Sequence, residues 1–280
     1  MRRGAWGAPP ATGHHGAVKP VGTITRGTTN PNRLRRVDRY LAGPLAPVLR
    51  AAGPRPVVVD LGYGAHPWTV VELHERLRRV RPDVRVLGIE IDPDRVAAAL
   101  PFATPDRAFV PGGFELPRPA GWPPPTLVRA FNVLRQYDAD EVAGAWAPTD
   151  RRAGPGGLVV EGTCDEIGRR AAWLTLDEAG PRSFTISVRL ASLTRPSDVA
   201  DRLPKALIHR NVPGEPIHAW LQALDRAWEL ATPLRVHGPR QRWLATVASL
   251  RSSGRPVRDA PTRWRLGELT VPWSVVAPRP

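Results

Sequence analysis

The chain has 280 residues, a formal charge of +14 and a single cysteine, Cys164. One cysteine excludes an internal disulfide and points to the cytoplasm. No apolar run approaches the ~20 residues of a bilayer span, and the basic start, MRRGAWGAPPATGHHG, lacks the apolar stretch of a secretory signal. The charge is confined to the ends. Residues 1–50 hold nine basic residues and one acid, residues 231–280 hold nine and two, and the stretch between is balanced to within one charge. All of the 40 basic residues except Lys19 and Lys205 are arginine. Together with abundant Ala, Pro and Gly, this is a codon-usage signature, and it weakens charge as a sign of nucleic-acid binding.

Residues 1–24, rich in Gly, Pro and Ala, are expected to be a disordered tail. From Thr25 to Leu41 the pattern predicts a helix capped at Asn30 with Pro31 in its first turn. Leu34, Val37 and Leu41 share one side, and Arg33, Arg36 and Arg39 are left for solvent or an anion.

The stretch from Val57 to Glu90 carries the most information. Val57, Val58 and Val59 form the continuous apolar run of a strand covered on both faces. Asp60 follows, and Gly62 and Gly64 allow a tight turn and close approach of a ligand. Pro67 opens a helix in which Val70, Leu73, Leu77 and Val80 share a face before Pro82. Val84 to Ile89 form a second strand that delivers Glu90 to its carboxyl end, where open α/β sheets bind ligands. A dinucleotide site needs a third glycine three places after Gly64. Pro67 stands there with no N–H to offer, and Asp60 would meet a diphosphate with like charge. A cationic, phosphate-free cofactor has the opposite demand.

DLGYG followed by GIEID resembles motifs I and II of the class I S-adenosylmethionine-dependent methyltransferases. The resemblance implies S-adenosyl-L-methionine as cofactor. Asp60, Gly62 and Gly64 would hold its methionine end, and Glu90 would take both ribose hydroxyls. His66 replaces the superfamily's common third glycine and is read as an N-cap before Pro67; Asp92, before Pro93, is read as another. After a short strand, Ala108 to Val110, the PGGF loop lies where these enzymes contact adenine. It offers Gly112, Gly113 and Phe114 but no acidic partner for the adenine amine at Gly113. Leu127 to Phe131 is the fourth strand, and NVLRQY after it resembles motif IV. Asn132 there either faces the methyl group and substrate or is a strand-end residue bonding a loop. Asp138 and Glu141 resemble a capping box, and AGPGG (Ala153 to Gly157) precedes a fifth strand, Leu158 to Gly162.

Beyond this, Ala172 to Leu176 and Phe184 to Leu190 predict a hairpin closing the sheet's edge. Helices are expected over Ser197 to Leu207, Ile217 to Leu230 and Arg240 to Leu250, then a strand-like GELTVPWSVV. Trp220, Trp228, Trp243, Trp264 and Trp273 are read as core, and HRNVPGEP, with His209 and Asn211, as a lid or substrate loop. No Cys/His spacing suggests a metal site. No catalytic residue is assignable, though Asp165, Glu166 and His209 are candidate bases.

The expected fold is α/β: a Rossmann-like, seven-stranded, mostly parallel sheet with helices on both faces, and a helical C-terminal extension. Residues 25–195 form the cofactor domain, and residues 196–280 a candidate substrate cap. The expected function is methyl transfer to a small-molecule or lipid-like acceptor. The alternatives are a nucleic-acid acceptor held by the arginine-rich ends, a non-catalytic binding module on the cofactor fold, and a nicotinamide oxidoreductase, which Pro67 disfavours.

Overall fold

The computed structural model describes residues 21–23, 29–138, 140–142, 144–146 and 153–279. The expected tail therefore lies outside the described residues except at 21–23, and so do residues 25–28 of the expected first helix. The apolar runs become five parallel strands, β1 (Val57–Leu61), β2 (Arg85–Glu90), β3 (Arg107–Pro111), β4 (Pro125–Phe131) and β5 (Leu158–Cys164). Three antiparallel strands follow, β6 (Arg170–Asp177), β7 (Gly180–Val188) and β8 (Glu268–Pro272). The spatial order is β3-β2-β1-β4-β5-β6-β7-β8.

The sheet thus has eight strands where seven were expected, and the β6–β7 hairpin is not its edge. The free edge of β7 is taken by the GELTVP segment, in a register running from Ser183 opposite Pro272 to Ser187 opposite Glu268. Phe184 and Ile186 there bury beside Leu269 and Val271.

Side chains alternate across the sheet. Val58, Val86, Leu127 and Val160 face the helices that precede or follow the early strands: α1 (Arg35–Leu41), α2 (Ala46–Ala51), α3 (Trp68–Leu77) and α4 (Pro93–Ala99). Val59, Val128 and Val159 face the other layer, formed mainly by α5 (Pro216–Leu230) and α6 (Pro239–Ser252). On α3, Val70, Leu73 and Leu77 are completely buried; each contributes about 1.5–3 kcal/mol of hydrophobic stabilisation. Trp220, Trp228, Trp243 and Trp264 are buried with the second layer, in keeping with the core reading, whereas Trp273 is only half-buried. Among the described residues no helix is long and apolar enough to cross a membrane.

Two expected helices are shorter than their patterns. Asn32 takes a left-handed backbone, φ 60°, so α1 begins only at Arg35. The segment 197–207 divides into a 3-10 turn, Pro196–Arg202, and a helical turn, Lys205–Ile208. Pro204 pushes Leu203 out of the helical region, to ψ 143°.

The arginines of the first helix also depart from expectation. Arg36 is buried, its Nε donating to the Gly168 carbonyl at 2.9 Å and its Nη1 to Ser187 Oγ at 3.2 Å and the Leu266 carbonyl at 3.4 Å. Burial lowers its pKa to about 10. Arg33 donates from Nε to the Asp165 carbonyl at 3.2 Å. These side chains fasten α1 and the residues just before it to the β5–β6 turn, because a guanidinium carries five donors and a carbonyl oxygen can accept more than one hydrogen bond.

Glu161 on β5 lies opposite Ala130 and Leu174, completely buried, and among the described residues neither carboxyl oxygen has a hydrogen-bond partner. Burial pushes its pKa up to about 8. The folded chain therefore keeps the proton through a range in which an unfolded Glu, with a pKa of about 4.3, has lost it. Stability from this group is fully present below that value and falls by about 1.4 kcal/mol per pH unit until the folded pKa is passed. Glu161→Gln should flatten this decline and make the protein more stable than wild type near pH ~8. Urea denaturation at about pH 5 and about pH 8 measures it; equal slopes for both proteins would mean that Glu161 is not held neutral.

Candidate active site

The site is built on one register. Asp60 on β1 lies directly opposite Arg129 on β4, both facing the α1–α3 layer. Arg129 is completely buried. It donates from Nε to Asp60 Oδ1 at 2.9 Å, from Nη2 to Asp60 Oδ2 at 2.6 Å and to the Thr69 carbonyl at 3.0 Å, and from Nη1 to Asp38 of α1. Arg76 of α3 also contacts Asp38, and Thr69 Oγ1 donates to Asp60 Oδ2 at 2.7 Å. Burial alone would lower the Arg129 pKa; the two carboxylates outweigh it and hold the guanidinium above its ordinary value. Asp60 is thus where the sequence puts it, with its charge matched by Arg129.

The loop after β1 turns through Gly62 and Gly64 at φ 67° and 84°, a region that costs other residues about 1 kcal/mol or more. This aims the Gly64 N–H at Glu90 Oε2, 2.8 Å away. Glu90, 1% exposed, also accepts the N–H of Ile91 at 3.0 Å and of Asp92 at 3.4 Å on Oε1. The Gly62 N–H donates to the Ile89 carbonyl at 2.8 Å and the Gly112 N–H to the Glu90 carbonyl at 3.0 Å. The carboxyl ends of β1, β2 and β3 are thereby held together.

Two small cavities flank Gly62. One, of about 60 Å³, is lined by Thr29, Arg33, Asp60, Gly64 and Asn132 among others. The second, of about 20 Å³, is lined by Glu90, Gly113, Phe114 and Tyr137 together with residues 21–23. All seven residues read from the sequence as cofactor-binding line one or the other.

Their surroundings differ from expectation in detail. Asn132 has φ 61°; its Oδ1 accepts the Cys164 N–H at 3.0 Å and its Nδ2 donates to Cys164 Sγ at 3.4 Å. These contacts tie the residue after β4 to the end of β5, and Asn132 lines the first cavity as well. Phe114 packs edge-on against Tyr137, ring centres 5.7 Å apart. His66 is exposed and does not cap α3, whose N-cap position Pro67 itself occupies without a side-chain hydrogen bond. Asp92 does cap α4, accepting from the Asp94 N–H at 3.0 Å and the Arg95 N–H at 3.4 Å.

Glu115 escaped the sequence reading. It is buried, with Oε1 accepting the Gly113 N–H at 2.9 Å and Oε2 the Val21 N–H at 2.9 Å. The only signal was an acid two places after Gly113. A left-handed Leu116, φ 46°, and the turn from the Leu116 N–H to the Gly113 carbonyl fold the loop back on itself.

Of the three candidate bases, Asp165 and Glu166 line one groove and His209 lies apart from it. Asp165 accepts the N–H groups of Arg169 at 2.7 Å and Arg170 at 3.0 Å, which closes the β5–β6 turn. Glu166 is exposed and, with Arg169, Arg189, Ser192 and Arg202, lines a groove of about 430 Å³ at the ends of β5–β7. His209 ends the Lys205–Ile208 turn, exposed, and lines neither the cavities nor this groove.

No family model and no curated protein matches the chain. Parts of it resemble solved structures. Human N-acetylserotonin methyltransferase in complex with SAM is 21% identical, over 49% of this chain and 36% of that one, with a TM-score of 0.34. The cyclopropane synthase MmaA2 from Mycobacterium tuberculosis is 20% identical over 49% and 48%, at 0.33. The O-methyltransferase NcsB1 from neocarzinostatin biosynthesis is 19% identical over 47% and 39%, at 0.31. The chain spans between about a third and a half of the length of these proteins, and likeness of this depth does not extend to substrate or partner.

Removing Arg129 would leave Asp60 and Asp38 buried with only Arg76 for charge balance. Arg129→Met should cost about 3–5 kcal/mol of stability, the scale for a broken buried ion pair, read from the urea midpoint of wild type and variant. A loss below about 1 kcal/mol, the scale of exposed pairs, would mean that the network is not tightly closed.

Proposed function

We propose that the chain is an S-adenosylmethionine-dependent methyltransferase of class I acting on a small-molecule acceptor. The observation that carries this reading is the pairing of two recognition elements beside the glycine loop. Glu90, at the end of β2, is a buried carboxylate whose acceptor oxygens suit two vicinal hydroxyls. Glu115 and the Phe114 N–H present an acceptor and a donor side by side, the complement of adenine's amine and neighbouring ring nitrogen. Each of the two cavities is lined by one carboxylate, Asp60 in the first and Glu90 in the second, and α3 starts at a proline with no N–H. Both features favour a phosphate-free cofactor over a dinucleotide.

Such a cofactor supplies an electrophilic methyl on a sulfonium. The chain's task is then to hold and orient, because alignment of nucleophile and methyl is the main source of acceleration. Asp60 acts through Arg129 and Thr69 to fix the loop, and Gly62 and Gly64 let the backbone approach. With Val21 in place Gly113 has no room for a Cβ, which would fall 2.0 Å from the Val21 carbonyl oxygen.

For the acceptor we favour the groove beside Asp165. Its volume of about 430 Å³ falls within the few hundred to a thousand Å³ of small-ligand sites. Arg33 lines the methionine-side cavity and donates to the Asp165 carbonyl, so cavity and groove share a wall, and Glu166 is the exposed carboxylate there. The nucleic-acid alternative loses support with Arg36, which is spent on two internal carbonyls and the Ser187 hydroxyl. Incubation with radiolabelled S-adenosylmethionine and fractionated cell extract tests the choice: label should enter small molecules, and label in RNA or protein would reject it.

Two variants test the cofactor contacts. Glu90→Ala should weaken S-adenosylhomocysteine binding about a hundredfold, the loss of two charge-assisted hydrogen bonds; titration calorimetry showing a change within about threefold would place the ribose elsewhere. The hypoxanthine analogue of S-adenosylhomocysteine has the donor and acceptor of its edge reversed. Wild type should reject it by about tenfold to a hundredfold, the cost of unpaired buried polar groups. Glu115→Ala should lose most of that discrimination, and its retention would remove Glu115 from the site.

A further inference from the structure

Residues 21–23 lie in the cavity where the adenine would sit, and their backbone makes four hydrogen bonds there. The Val21 N–H donates to Glu115 Oε2 at 2.9 Å, and the Val21 carbonyl accepts from the Phe114 N–H at 3.0 Å. The Thr23 N–H donates to Tyr137 Oη at 2.6 Å, and the Thr23 carbonyl accepts from Gln136 Nε2 at 2.9 Å. Gly22 between them passes over Phe114, Ile91 and Tyr137 so closely that a Cβ would lie 3.0 Å from Tyr137 Oη, and its φ of 146° is one that few side chains tolerate. All three residues are exposed on their outer side. With them in place only about 20 Å³ remains, far below the few hundred Å³ of an occupied small-ligand site.

The two Val21 contacts have a chemical meaning. A peptide unit offers an N–H donor and a C=O acceptor, and here they meet a carboxylate and a backbone N–H. Adenine's reading edge offers the same pair, an amine donor and a ring-nitrogen acceptor. We propose that the segment 21–23 is a self-inhibitory strap whose Val21 backbone stands in for adenine and which an adenosine ligand must displace. The inference rests on the cofactor reading above and adds a competition to it. When adenine enters, Glu115 exchanges the Val21 N–H for the exocyclic amine, and the Phe114 N–H exchanges the Val21 carbonyl for the ring nitrogen. Two of the four strap bonds are therefore replaced in kind. The Thr23 contacts, with Tyr137 and Gln136, have no such replacement, and they set how strongly the strap competes.

Apparent affinity equals intrinsic affinity multiplied by the fraction of molecules with the site open, so a strap closed about nine-tenths of the time weakens binding about tenfold. Two substitutions in the full chain loosen it without altering the adenine contacts. Gly22→Val places branched carbon against Tyr137 and demands a disfavoured backbone; Gln136→Ala removes a Thr23 contact from a residue that does not line the cavity. Calorimetric titration with S-adenosylhomocysteine should show tighter binding in both, by about tenfold for Gly22→Val and less for Gln136→Ala. Hydrogen exchange gives a readout without mutation: S-adenosylhomocysteine should speed exchange of the Thr23 amide and slow that of Phe114. If all three proteins bind alike, or if the variants bind more weakly and the ligand protects Thr23, the strap is a bystander or a lid and the proposal falls while the cofactor reading stands. If none of the three, natively folded by circular dichroism, binds S-adenosylhomocysteine, the cofactor reading fails and takes the strap with it.

Discussion

A buried positive charge governs this structure. Arg129 sits on a central strand with no access to water, where an isolated ion would cost several kcal/mol. It is tolerated because the β1–β4 register puts Asp60 opposite it and α1 brings Asp38 to its other side. Everything near the glycine loop is tied to that arrangement. Asp60 is two residues from Gly62, and Thr69 and Arg76 belong to the helix that the loop feeds. Shifting α1, β4 or α3 would unbalance the charges, so the loop is held in shape before any ligand arrives. The N-terminal helix, outside the motif-bearing stretch, thereby becomes part of the site's scaffold.

How much of this was legible follows the range of the interactions. The stretch from Val57 to Glu90 was readable because its signals are local: an apolar run, two glycines, a helical repeat ended by a proline, and a second run ending in an acid. Strand existence held to within a few residues at β1 through β5 for the same reason. Pairings between distant residues were invisible. Nothing near Asp60 announces Arg129, and nothing near Glu115 announces Val21, since each meeting is made by the fold. The hairpin placed at the sheet edge erred similarly: alternation in Phe184 and Ile186 reveals two faces but does not say which strand lies beyond. The helix over 197–207 failed for a local reason, the effect of Pro204 on Leu203.

The arginine-rich ends teach a related lesson about charge. Read as a sum, they suggested a polyanion. In the fold many serve as fasteners. Arg36 joins α1 to three later segments, Arg242 donates from Nε and Nη2 to the Trp228 carbonyl at 3.0 and 2.8 Å, and Arg263 grips the Glu268 carboxylate with bonds of 2.7 and 2.6 Å. A planar group with five donors can satisfy several loop carbonyls that a lysine ammonium would serve less well. In a chain with 33 prolines, many loops leave carbonyls without helix or sheet partners, and arginine is the residue suited to meet them.

The pairing of β8 with β7 orders events during synthesis. Residues 189–267 separate the two strands, so β7 leaves the ribosome long before its outer neighbour exists. During that interval its outward N–H and C=O groups form an open edge able to pair with any extended chain. The segment that closes it is short, and closing such a long loop is slow. A chain interrupted before residue 268 would hold the whole glycine loop and both cavities in an unsealed sheet, exposed to self-association along β7, four strands from β1.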